Sequence, residues 1–234
     1  MAPMRPLALA AALLAACAST SAARRPEPSP APPDATAVAE AAAVAAVGSC
    51  PEKEGDTWRA DLAIALWVQE ARTPEEVRRA EAEVNLSPEA LSEAAGAPLD
   101  AAHRPLTLAL LGDAARRARA VYGVIKERCA RPRPYDFDPR LQPAVEREPS
   151  FAFPSGHATI GALFARLLAE LAPARAAALT ERGRQIGFDR VRAGAHWASD
   201  VAAGQRLGVA LAEEWLAEPA FRREVERVRA VEWR

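Results

Sequence analysis

The sequence lacks an excess of charge of either sign. Its 30 basic and 31 acidic side chains leave a formal net charge of −1 over 234 residues. No overall field gathers a polyanion, so nucleic acid is excluded as a partner except through a local patch. Aromatic residues make up only 6%. The three cysteines are too few for a disulfide-built scaffold. Strand-like alternation is nearly absent and there is no internal repeat, which removes sandwich, barrel and solenoid architectures. Beyond the first residues no apolar run reaches the roughly 18 residues that span a bilayer, because charges interrupt each one, so the body is expected to be soluble. No cysteine–histidine cluster and no carboxylate pair stands at metal-ligand spacing, so neither a metal nor another cofactor is expected.

Half of the residues are hydrophobic, enough for one sizeable core, and the abundance of alanine and arginine suits helices. The expected fold class is all-α, a single-domain packed bundle. The amino terminus has Arg5 in a short leading region, an apolar run from Leu7 to Ala16, and then Cys17. It reads as a secretory signal over residues 1–16. Leu14-Ala15-Ala16-Cys17 resembles the lipobox of bacterial lipoproteins, which makes Cys17 the lipidation residue; the alternative is a plain signal peptide cut later, near Ala23. Residues 17–50 form a Pro- and Ala-rich tether and 51–234 the helical domain. The expected location is therefore the periplasm, with an N-terminal lipid anchor on the outer membrane as the only membrane contact, or secretion if Cys17 is not modified. Cys50 and Cys129 remain as an even pair, able to bridge in such a compartment or to stay as two thiols.

The periodicity predicts a helix from Thr57 with Trp58, Leu62, Ala65 and Leu66 inward. A second helix starts at the capping box Thr73-Pro74-Glu75-Glu76, and another near Ser87-Pro88. A long helix from Pro105 carries Leu110, Leu111, Ala114, Ala118, Val121 and Ile125 on one face until prolines 132 and 134 end it. The clearest helix begins near Gly156, with Ile160, Leu163, Phe164, Leu167, Leu168 and Leu171 in step. Further helices are predicted over about 174–192, from Trp197 to Leu216, and after Pro219.

Three blocks carry chemistry. A helix start at Pro154-Ser155-Gly156-His157 offers unpaired N–H groups, a hydroxyl, a bare backbone and an imidazole, which is half of a phosphate site. "KERCARPRP" sets Lys126 seven residues before Arg133, and "FDRVRAGAHWASD" sets Arg190 before His196 and Asp200. In that order the blocks resemble the signature of the phosphatidic acid phosphatase type 2 superfamily, Lys-x6-Arg-Pro, Pro-Ser-Gly-His and Ser-Arg-x5-His-x3-Asp. The chain looks most like the soluble bacterial class A nonspecific acid phosphatases, and the resemblance extends over roughly 57–216. Asp189 departs from it by standing where the pattern has serine; a helical neighbour of Arg190, rotated about 100° away, is expected to face elsewhere.

The resemblance implies a metal-independent acid phosphatase working on a small phosphorylated substrate through a phosphohistidine, with an acidic optimum. His196 would be the nucleophile, Asp200 would hold its other ring nitrogen, and His157 would be the general acid. Lys126, Arg133, Ser155, Gly156 and Arg190 would bind phosphate. Arg128, Arg131 and Arg192 are read as solvated neighbours and His103 as structural. The competing readings are a pyrophosphate-lipid phosphatase, a vanadium-dependent haloperoxidase, and a non-enzymatic periplasmic anion-binding lipoprotein. The sequence does not name the ester or the oligomeric state.

Overall fold

The structure, a computed structural model, describes residue 41, residues 45–52 and residues 54–234. The signal segment, Cys17 and most of the expected tether lie outside the described residues. Among the described residues there is no strand. The helices are α1 (Asp56–Ala71), α2 (Pro74–Ala82), a 3-10 turn (Pro88–Leu91) running into the short α3 (Ser92–Ala95), α4 (Pro105–Cys129), α5 (Pro134–Phe137), α6 (Gly156–Leu171), α7 (Ala176–Arg192), α8 (Ala198–Ala217) and α9 (Pro219–Glu232). The all-α bundle expected from the periodicity is what forms, and no helix among the described residues is long and apolar enough to cross a membrane.

The centre of the bundle is α6. It packs on α4, α7, α8 and α9, and Leu163, Leu167 and Leu168 are completely buried. Each such side chain contributes about 1.5–3 kcal/mol of transfer free energy. Close approach to α8 depends on glycine: a Cβ at Gly204 would sit 2.5 Å from the Ser155 carbonyl oxygen, and one at Gly208 nearer still to that of Thr159. Small residues therefore seat the start of α6 directly on α8 and fix the phosphate-binding block against the block that carries His196.

The inward face predicted for α4 is buried throughout. The helix ends where Ala130 turns left-handed at φ 44°, ahead of the two prolines. The capping box on α2 is formed, with Thr73 and Glu76 bonding each other's backbone N–H groups. On α1 the buried stripe is Trp58, Asp61, Ala65 and Val68, while Leu62 and Leu66 are only half-buried. The inward face is rotated from its expected position because Asp61 is drawn into an ionic network described below.

Cys50 and Cys129 are bonded, with their Cα atoms 5.3 Å apart, which resolves the two alternatives the sequence left open. The bridge closes a loop with a sequence separation of 79, so loop-closure entropy makes it worth about 4 kcal/mol. Chemical denaturation with and without a thiol reductant, and of a C50A/C129A variant, is expected to show a loss of that order; equal midpoints would mean the bridge adds nothing.

Candidate active site

Three elements converge on one cleft of about 320 Å³, whose lining includes Lys126, Glu148, Gly156, His157 and His196. The blocks arrive from the end of α4, the start of α6 and the turn before α8. That turn is built by Gly194 in the left-handed region at φ 70°, where a side chain would be strained. It lets the N–H groups of Ala195 and His196 both donate to the Arg190 carbonyl, at 3.0 and 3.2 Å. One short turn thus couples the Arg190 and His196 positions.

His196 is 1% exposed. Its Nε2 lies 3.3 Å from Arg133 Nη1. A guanidinium only donates, so Nε2 is the unprotonated nitrogen and Nδ1 carries the proton. Nδ1 faces Asp200 Oδ2 at 3.5 Å, longer than a formed hydrogen bond, and is buried without a partner. Asp200 spends its oxygens elsewhere: Oδ2 accepts the Trp197 N–H at 2.9 Å and Oδ1 accepts Arg131 Nη1 at 2.6 Å. Burial pushes the His196 pKa well below the ordinary histidine value, and Arg133 and Lys126 push it the same way. The ring is therefore neutral, with its lone pair on Nε2, facing Arg133.

Arg133 is buried and bonds Ser150 O at 2.7 Å, Ala195 O at 3.0 Å and Glu148 Oε2 at 2.7 Å. Burial first, then Arg133, lowers the Lys126 pKa to about 8, against the opposing pull of Asp200 and Glu148. Lys126 Nζ donates to the Phe151 carbonyl. At the start of α6, Gly156 leaves room that a Cβ would take from the Tyr122 ring, 3.1 Å away. Ser155 lies deeper than the cleft wall; it is completely buried, and its hydroxyl accepts the Ala158 N–H as the N-cap of α6.

The frayed end of α2 grips the opposite side. The last carbonyls of a helix have no intrahelical partner, and here Ala80 in the last turn holds Arg190, while Glu83 and Val84 just past it hold His157. Arg190 Nη1 donates to Ala80 O at 2.9 Å, while its Nε is buried without a partner. His157 Nε2 stands 3.1 and 3.2 Å from the Glu83 and Val84 carbonyls. Since carbonyls only accept, that nitrogen carries the proton of the neutral ring, and a second proton would go to Nδ1. Burial, then Arg190, lowers the His157 pKa to about 4, with Glu148 opposing.

Asp189, the departure from the motif, points away from the cleft. It is buried and takes a two-pronged contact from Arg79 at 2.7 and 2.8 Å, plus Arg192 at 3.0 Å. It clamps α2 to α7, so the carbonyls that hold Arg190 and His157 stay in place. Arg192, expected as a solvated neighbour, is half-buried and bonds Glu76 as well. Arg128 is exposed, and His103 pairs with Asp100 near the surface.

Arg131 corrects the sequence reading. Only 2% exposed, it joins Asp61 at 2.8 Å to Asp200 at 2.6 Å. Its guanidinium lies over the Trp58 ring, 4.6 Å from the centroid. Asp61 also accepts the Ser199 N–H at 2.9 Å. Arg131 sits in an irregular stretch where periodicity says nothing. Asp61 did leave a signal, a lone carboxylate three residues from Trp58 and four from Ala65 on an apolar face. Glu148 was missed as well, since it falls in the long loop between α5 and α6.

The cleft thus gathers two imidazoles and a lysine ammonium at or beside helix ends. The family model described as PAP2 superfamily matches residues 106–219, a span containing all three blocks. The chain is similar to an acid phosphatase of Zymomonas mobilis, 37% identical over 140 residues, 58% of this chain and 53% of that one. It is also similar to a non-specific acid phosphatase of Salmonella typhimurium, 42% identical over 78 residues, 33% of this chain and 31% of that one. The chain spans about half the length of the first relative and less than a third of the second. The crystal structure of a transmembrane PAP2 type phosphatidylglycerolphosphate phosphatase from Bacillus subtilis has the same fold, with TM-score 0.51, 23% identity, and coverage of 83% of this chain and 96% of that one.

Proposed function

We propose that the chain is an acid phosphatase that hydrolyses small phosphomonoesters through a phosphohistidine on His196, without a metal ion. The observation that carries the reading is the convergence of Lys126, His157 and His196 on one cleft, with Arg133 against the reactive nitrogen. The relatives' names support the reaction class. Among the described residues no three His, Cys, Asp or Glu side chains group as metal ligands.

In this scheme Nε2 of His196 attacks phosphorus in line with the leaving oxygen. The Nδ1 proton stays opposite Asp200, whose carboxylate stabilises the ring as it becomes cationic. Lys126, Arg133, Arg190 and the N–H groups at the start of α6 neutralise the charge spreading over the phosphoryl oxygens. His157, protonated on Nδ1, gives that proton to the leaving alkoxide. It then takes a proton from the water that releases phosphate, which regenerates both histidines. A lipid anchor on Cys17 and a periplasmic site belong to the same reading, which the Cys50–Cys129 bridge supports because such bonds persist in oxidising compartments. Radiolabelled palmitate incorporation that vanishes on Cys17→Ser would test the anchor.

A panel of phosphomonoesters assayed across pH, with and without a chelator, tests the activity. Turnover is expected to be strongest in the acid range and unchanged by chelation; absence of turnover on every ester would refute the reading. The profile has a further signature. His157 loses its acidic proton above about pH 4 in the empty enzyme, whereas a bound phosphate adds negative charge beside the ring and raises that value. The alkaline limb of kcat is therefore expected about one unit or more above that of kcat/KM. The reverse order would remove His157 as the acid.

A further inference from the structure

Glu148 places a negative charge inside a cleft otherwise built to receive one. It lines the same cavity as Lys126, His157 and His196. Its Oε2 is 2.7 Å from Arg133 Nη2, and its side chain is 38% exposed. The backbone around it is fixed, because the Glu148 N–H donates to the Tyr135 hydroxyl at 3.0 Å. The charged and titratable groups that face the carboxylate are Lys126 and Tyr122 from α4, Arg133 ahead of α5, Tyr135 from α5, His157 from α6, Arg190 from α7 and His196 ahead of α8. Burial pushes the Glu148 carboxyl up, but attraction by the cations beside it, Arg133 foremost and Lys126 with it, outweighs burial, so the group rests below its usual value.

Two ionised oxygens cannot share such a site without strong repulsion. A phosphate that keeps one proton can instead donate it to the carboxylate, in a short charge-assisted hydrogen bond. We infer that Glu148 is a specificity-determining residue that selects the protonated, monoanionic form of the phosphoryl group and rejects anions of the same shape that carry no proton. The inference rests on the phosphatase reading and adds to it the protonation state of the substrate. Phosphomonoesters lose their second proton near pH ~6, so the same selection favours turnover at acid pH independently of His157.

Inorganic phosphate and sulfate separate this from other roles. They share size and tetrahedral shape, but in mildly acid solution phosphate carries the proton and sulfate does not. Calorimetric titration of the intact protein at about pH 5.5 with each ion is expected to show phosphate binding about 30-fold or more tighter than sulfate, because the discriminating hydrogen bond is to a charged group. In Glu148→Gln the ratio is expected to fall to within about threefold, since an amide donates to an unprotonated oxygen, while Glu148→Asp keeps most of it. Lys126 also titrates, but it weakens both anions together, so the ratio is the quantity to read. Equal binding of the two ions by the unmodified protein would overturn the inference while leaving the phosphatase reading standing. So would a Glu148→Gln protein that binds both more tightly at an unchanged ratio, because the carboxylate would then only be a plug. If the unmodified protein bound phosphate at no pH, the phosphatase reading itself would fall.

Discussion

His196→Ala is expected to lower kcat for phosphomonoester hydrolysis by about 10⁵-fold or more, with the helical circular dichroism spectrum unchanged. Loss of a nucleophile removes the covalent route altogether, and residues acting as one unit cannot replace it singly. The fold should survive because little holds the ring. Its Nδ1 has no hydrogen-bond partner, and its one close polar neighbour on the other side is Arg133. The cations and the α6 terminus remain, so the variant should still bind phosphate. A variant retaining a tenth of the activity would show that another group attacks phosphorus.

Arg131→Leu is expected to destabilise the protein by about 3–5 kcal/mol, measured by urea denaturation, because it leaves Asp61 and Asp200 buried without their shared cation. The cost should depend on pH, with a sign that follows from Asp200. Burial already raises its pKa, and Arg131 is the foremost group opposing that rise; without Arg131 the folded-state value moves further above the unfolded one. A group raised in this way gives stability that is fully present below its unfolded pKa and is lost as pH rises through the folded value. The deficit of Arg131→Leu is thus expected to be smaller near pH 4 than near pH 7. Pairing it with Asp61→Asn should recover part of the loss, since one stranded carboxylate is removed. A deficit below about 1 kcal/mol, flat with pH, would mean that the network is not what holds α1 to the start of α8.

The helices that build the site were legible because their constraints are local and periodic. The inward face of α4 and the run from Ile160 to Leu171 on α6 repeat at helical spacing, and the cap at Thr73 is a four-residue signal. The spacings of Lys126 to Arg133 and of Arg190 to Asp200 likewise survive in a linear reading. Contacts made by irregular segments were not legible. Arg131 differs from its solvated neighbour Arg128 only because the chain turns at Ala130 and directs it under Trp58. Glu148 reaches the cleft through a loop with no periodicity. Asp189 was expected to face away, and does, but its partner Arg79 lies 110 residues earlier. Ser155 illustrates a different limit, since a hydroxyl at a helix start serves equally as a ligand or a cap, and only the packing of α6 on α8 shows that it is buried as a cap.

The most direct test of the account is rapid quench of the protein into alkaline detergent during turnover of a ³²P-labelled monoester, followed by peptide mapping at alkaline pH. The label is expected on His196, stable in alkali, lost in mild acid, and absent from His196→Ala. Label on a hydroxyl residue, or turnover with no trapped phosphoprotein at any quench time, would contradict it.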